Sequence, residues 1–157
     1  MKGLILGGFL VMGLSGIAQT ASNYSGVYAI DKSKIDFGKA PQTLLPAQFT
    51  VKGEKKHIAI TRKMENPMKE ILEDMNLDGT PFSRDLESGG KATSSFSWID
   101  GGSFKLNKNW VDKEGKSTMK DEEIWNVEDG GKTLKVTYNV EEANGGKYTI
   151  VGYYAKL

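Results

Sequence analysis

Cysteine is absent from all 157 residues, which excludes a disulfide framework, a zinc–thiolate centre and a lipid-bearing N-terminal cysteine. Histidine occurs once, at His57, and the 21 basic side chains are 19 lysines and only two arginines, Arg62 and Arg84. With a single histidine, no thiol and no G-x-S-x-G elbow, no nucleophile can be paired with a base, so a protein without catalytic residues is expected. Glu122-Glu123 supplies no acid/base pair either, because neighbours on a strand point to opposite faces. A net charge of +1 with no basic block lacks the electrostatic footprint of a nucleic-acid partner.

Long apolar runs are confined to the first residues. Met1-Lys2 is followed by Leu4-Ile5-Leu6, Phe9-Leu10-Val11-Met12 and Leu14, and then by the small residues Ser15 and Gly16. That is the three-part order of a secretory signal, with Gly16 and Ala18 at the small-residue positions and the cut between Ala18 and Gln19. The run is too short and glycine-rich to span a bilayer comfortably. Residues 1–18 therefore read as a cleaved signal peptide and residues 19–157 as one domain, 139 residues long once 18 of the 157 are removed. Losing Lys2 leaves 20 basic side chains against 20 acidic ones. The mature chain is expected to be secreted or periplasmic, soluble, and without a membrane span.

What the mature chain has in abundance is glycine in turn contexts: Lys52-Gly53-Glu54, Asp78-Gly79, Ser88-Gly89-Gly90, Asp100-Gly101-Gly102, Glu114-Gly115, Asp129-Gly130-Gly131 and Asn144-Gly145-Gly146. Glycine supplies the positive φ of tight hairpins. Between the turns, apolar residues alternate with polar ones, most clearly Leu134, Val136, Tyr138 and Val140 against Thr133, Lys135, Thr137 and Asn139. Comparable phases occur at Phe49/Val51, Ile58/Ile60, Phe96/Trp98, Phe104/Leu106, Trp125/Val127 and Tyr148/Ile150/Tyr154. The last of these segments also carries Val151 and Tyr153 on its second face, as though both sides were covered. Eight to ten sequential strands with one apolar face predict an all-β, antiparallel up-and-down meander barrel, with a two-sheet sandwich as the rival. Residues 31–46 read as a loop crossing one end. Residues 66–76 fit either a helix begun at Asn66-Pro67, with Met68, Ile71, Leu72 and Met75 at helical spacing, or a strand.

Arg62 shares its phase with Ile58 and Ile60, and Arg84 with Phe82 and Leu86. Both guanidinium groups are thus expected to point inward, to hold a ligand's acidic group or to pair with Glu123, which is in phase with Trp125. Phe96, Trp98, Phe104, Trp125, Tyr138 and Tyr154 complete the expected lining, with room left by the small residues Ala92, Ser94 and Gly152. Asp74, Asn76, Asp78 and Gly79 resemble the start of a calcium loop, with Asp85 at its twelfth position. Pro81 and the short Asp85 count against that reading, and a strand followed by an Asp-Gly turn is its alternative. His57 alternates with Ile58 and Ile60 on the polar face, which predicts an exposed strand residue.

Several segments together resemble a group of secreted bacterial lipocalin-like domains. They are Lys32-Ser33-Lys34-Ile35-Asp36-Phe37-Gly38, Asn76-Leu77-Asp78-Gly79, Ser97-Trp98 with Asp100-Gly101, Glu123-Ile124-Trp125, Asp129-Gly130-Gly131-Lys132-Thr133-Leu134 and Tyr153-Tyr154-Ala155-Lys156. The resemblance implies a small calycin-type barrel whose interior takes an apolar molecule, and it carries over no catalytic residue. The Arg-x-Tyr with which fatty-acid-binding barrels hold a carboxylate in the last strand is missing. The expected function is binding of a small hydrophobic or amphipathic ligand inside the barrel, with no cofactor. An envelope interaction domain with a solid core and a calcium-binding module are the alternatives.

Overall fold

The computed structural model describes residues 20–40, 45–65, 68–99 and 102–157. The signal-peptide segment 1–18, the cleavage-site residue Gln19 and the helix-start pair Asn66-Pro67 lie outside the described residues. Ten strands follow in chain order: β1 (Gly26–Ile30), β2 (Gln48–Gly53), β3 (His57–Met64), β4 (Lys69–Asn76), β5 (Phe82–Asp85), β6 (Lys91–Trp98), β7 (Phe104–Val111), β8 (Ser117–Glu128), β9 (Thr133–Glu142) and β10 (Lys147–Lys156). They form one antiparallel sheet in the order β4-β3-β2-β1-β10-β9-β8-β7-β6-β5. Sequence neighbours pair except at one place, and β1 and β10 join the first strand to the last through Tyr28↔Lys156, Ala29↔Ala155 and Ile30↔Tyr154. The result is a nearly closed up-and-down barrel. Its seam lies between β4 and β5, which sit at the two ends of the hydrogen-bonded order.

The turns show why glycine recurs. At Asp112–Lys116, the Asp112 carboxylate accepts from the backbone N–H of Glu114 and of Lys116 (3.0 and 2.9 Å). Gly115 completes the reversal at φ 82°, a left-handed conformation that a side chain opposes. Register then follows from alternation. Phe104↔Trp125, Leu106↔Glu123 and Lys108↔Asp121 pair across β7 and β8, so each inward residue meets an inward partner, and a one-residue slip would turn all of them outward.

The segment left open between helix and strand is a strand from Lys69 onward. Its pairing with β3, from His57↔Asn76 to Met64↔Lys69, splits the helically spaced apolar set. Met75 is fully buried, whereas Leu72 is 58% and Met68 83% exposed. Between β1 and β2 the chain makes a short 3-10 turn at Lys32–Lys34 and then runs along β10. There Asp31 N–H donates to Tyr153 O (2.8 Å) and Asp36 exchanges both backbone bonds with Val151. That strap explains the second apolar face of β10, where Val151 and Tyr153 are half-buried.

One end of the barrel is solid. A 3-10 turn at Ala21–Tyr24 caps it, with the Tyr24 hydroxyl donating to the carbonyls of Gly102 (2.9 Å) and Trp125 (3.1 Å). Tyr24, Phe96, Phe104 and Trp125 pack together there, Tyr24 edge-on to Phe104 at 4.6 Å, Phe96 tilted on Phe104 at 5.0 Å, and Phe104 stacked on Trp125 at 5.2 Å between centroids. Gly53 is required here for space: a Cβ on it would lie 1.8 Å from Ala21 O.

Candidate functional site

Beyond the aromatic end, the barrel interior changes from apolar to charged within one layer. Arg62 (β3), Glu73 (β4), Lys108 (β7) and Glu123 (β8) are all buried there. Each enters the interior because it alternates with apolar residues, Arg62 after Ile58 and Ile60, Glu73 between Ile71 and Met75, Lys108 after Leu106, and Glu123 before Trp125. Arg62 Nε and Nη2 donate to Glu73 Oε2 and Glu123 Oε2, each at 2.7 Å. Lys108 Nζ reaches Glu73 Oε2 at 2.8 Å and Glu123 Oε1 at 3.1 Å. The four charges thus close a neutral ring of two cations and two anions. Ser94 Oγ (3.0 Å to Glu73 Oε1) and Trp125 Nε1 (2.9 Å to Glu123 Oε2) satisfy further lone pairs. Arg62 also lies over the Phe49 and Trp125 rings, 5.2 and 5.5 Å from their centroids, so its guanidinium faces are covered by aromatic surface.

Burial alone would hold Glu73 and Glu123 neutral. The adjacent Arg62 and Lys108 outweigh it and set both carboxyls below their usual range. Burial opposes the charge on Arg62 as well, and Glu123 and Glu73 reverse the balance. Taking four charges out of water is expensive unless the geometry satisfies them fully, and the ring has a structural task that such geometry serves. Glu73 stands on one side of the backbone seam and Ser94 and Lys108 on the other. Their bonds join β4 to β6 and β7 where no main-chain ladder does.

Two polar atoms next to the ring have no partner among the described residues: Arg84 Nε on β5 and Asp121 Oδ1 on β8 are buried and unbonded. Both line a cavity of about 180 Å³ beside the ring, partly open to solvent. Its wall is otherwise largely apolar, from Met64, Ile71, Trp110, Met119, Val140 and Tyr148, with Leu45 and Pro46 contributed by the β1–β2 connection. Asp121 differs from its neighbours on β8. Burial first, and then the Glu123 charge, push its carboxyl up to about 8 against the pull of Lys108 and Arg62. It therefore carries a proton at neutral pH while Glu123 does not, a separation that comes from environment alone.

The inward residues singled out by pattern fall into two groups. Arg62, Arg84, Glu123 and Tyr138 line the cavity, whereas Phe96, Phe104 and Trp125 pack in the solid end. Trp98 is 37% exposed at that same end, its ring edge-on to Phe96 at 5.0 Å. Tyr154 is buried behind Tyr138, their hydroxyls 3.1 Å apart, and burial raises both phenols. Glu73, Lys108 and Asp121 were not singled out in the sequence. Their signal was the one that marked the arginines, a charged residue in phase with apolar ones, and it went unread because lysine and acid are common in this chain.

The calcium-like residues do not gather. Asp74 and Asn76 lie along the outer side of β4, with Asp74 Oδ1 3.8 Å from the exposed His57 Nδ1, while Asp78 caps the backbone N–H of Thr80 (2.9 Å). Asp85 is on β5, across the seam. No group of three or more His, Cys, Asp or Glu side chains among the described residues is arranged to hold a metal ion. Among them, too, no helix is long and apolar enough to cross a membrane. A scan against protein-family models finds no match, and a search of curated proteins finds none either.

Proposed function

We propose that this chain is a lipocalin-like binding protein, exported by its N-terminal segment, that holds one small amphipathic molecule at the charged end of its barrel and performs no chemistry on it. The observation that carries the reading is the cavity of about 180 Å³ with two unbonded polar atoms in its wall. A well-packed core leaves few voids larger than a water molecule and few orphaned polar groups. Both occur here side by side, which is what a site awaiting a partner requires. Size then limits the occupant. An apolar cavity of about 150 Å³ takes a benzene, so this one takes a single ring or a short chain with a polar group. The ring of four charges is internally satisfied and serves as the rigid floor.

The reading is tested by native mass spectrometry and organic extraction of protein purified from its own host, together with tryptophan fluorescence titration. Trp110 in the cavity wall reports on an occupant directly. A reproducible bound mass, or saturable quenching by single-ring compounds, is the expected result. No bound mass and no quenching by any compound of that size would overturn the proposal.

A further inference from the structure

The neutral ring leaves two groups over. Arg62 and Lys108 are matched by Glu73 and Glu123, whereas Arg84 has no ion-pair partner among the described residues and its buried Nε–H donates to nothing. Asp121 also stands outside the ring, with Oδ1 unbonded. The two do not bond each other, and each faces the same small cavity. Building on the proposed function, we infer that the occupant is a small monocarboxylate that also bears a hydroxyl or N–H, its carboxylate taken by Arg84 and its donor by Asp121 Oδ1.

The charge of the cavity argues for an anion of one unit. With Asp121 protonated, the groups facing it sum to a single positive charge: Arg62, Arg84 and Lys108 against Glu73 and Glu123. Tyr138 on β9 and Tyr148 on β10 are the remaining titratable groups on the wall, and a phenol is neutral at physiological pH. A monoanion completes neutrality, while a phosphate dianion would leave a buried excess. A planar carboxylate also suits a guanidinium better than a tetrahedral anion of the same charge does, because the two match edge to edge. The second contact follows from proton placement. Asp121 holds its proton against the Glu123 carboxylate, so its other oxygen is a carbonyl acceptor that needs a donor from the occupant. Binding and proton retention are therefore linked, since loss of the Asp121 proton puts a negative charge beside the bound carboxylate.

The test titrates tryptophan fluorescence, to which Trp110 in the cavity wall contributes, with benzoate, benzyl alcohol and the three hydroxybenzoate isomers. Benzoate should bind at least tenfold more tightly than benzyl alcohol at pH 6.5, one hydroxybenzoate isomer should bind more tightly than benzoate, and R84M should remove the preference for the charged probe. Affinity for benzoate should fall as pH rises through about 8, and D121N, which keeps the carbonyl acceptor, should abolish that fall. Benzyl alcohol binding as well as benzoate would overturn this inference while leaving the cavity reading intact, and a benzoate preference unchanged in R84M would do the same. Hydroxybenzoates no tighter than benzoate would overturn the donor contact to Asp121. Failure of every probe, charged or neutral, to bind the folded protein would remove the cavity reading on which the inference rests.

Discussion

Replacing Asp121 by asparagine should stabilise the barrel, by an amount that pH controls. The carboxyl goes from an ordinary value of 3.8 to about 8 on folding. Between those limits the native chain keeps a proton that the unfolded chain has released, so stability falls as pH rises across the window and levels off above about 8. One pKa unit is about 1.4 kcal/mol. Three units, from pH 4 to pH 7, therefore amount to a loss of about 4 kcal/mol, a large share of a domain's stability of roughly 5–15 kcal/mol. Asparagine is free of this loss because it has no proton to give up. Its amide N–H can still donate to Glu123 and its carbonyl still replaces Oδ1. Urea unfolding of both proteins at pH 4, 5.5, 7 and 8.5 reads the difference directly through the midpoint. The gap in favour of D121N should be small at pH 4, widen by about 1.4 kcal/mol per unit and stop widening above pH 8. A gap that is constant with pH would refute the assignment of the buried proton to Asp121.

The ring predicts the opposite sign at its own members. R62M leaves Glu73 and Glu123 buried without their shared guanidinium and should cost about 3–5 kcal/mol in urea unfolding; a loss below about 1 kcal/mol would show that the ring is not a unit. Because Glu73 and Glu123 are held below their usual range, their contribution is present above about pH 4.5 and is lost as pH falls further, so stability against pH should peak in mildly acidic solution. Truncating Phe104, which is fully buried among Tyr24, Phe96 and Trp125, should cost about 3–5 kcal/mol. It should leave probe binding in the cavity unchanged, and a loss of binding in a folded F104A would contradict the separation of solid end from hollow end. G53A should lower the melting temperature, because its methyl lies 1.8 Å from a backbone oxygen of the capping turn; an unchanged melting temperature would mean the cap is not fixed there.

Most of the architecture was readable in the chain because the information is local. Hairpin glycines such as Gly115 and Gly145, both at positive φ, punctuate the strands, and the Leu134–Val136–Tyr138 alternation sets which face turns inward. The seam was not readable, because adjacency of β4 and β5 without pairing depends on how far ten strands curl round, a property of the whole sheet. Residues 66–76 stayed ambiguous for a related reason. Apolar residues at 68, 71, 72 and 75 satisfy a helix of period 3.6 as well as a half-buried strand, and only the ladder to β3 decides. At the site, phase placed both arginines inside but could not tell them apart. Arg62 meets carboxylates from strands 11 and 61 residues away in sequence, whereas Arg84 meets none among the described residues, and that difference exists only after folding. The size of the cavity was equally hidden, since Phe96, Phe104 and Trp125, counted as its lining, are spent on the opposite end.

The pairing of β1 with β10 also has a kinetic side. Tyr28 must find Lys156, and the Leu157 N–H donates to Val27 O at 2.8 Å, so the step that turns a curled sheet into a barrel spans almost the whole described chain. Every other ladder joins strands that are neighbours in sequence, most of them through short turns that close as soon as two strands exist. Loop closure over so long a separation is slow, and until it happens β1 and β10 each present an open edge to other chains. A chain emerging from its N-terminus onward cannot form this contact until β10 is free. Its most exposed and aggregation-sensitive interval thus lasts until β10 has emerged.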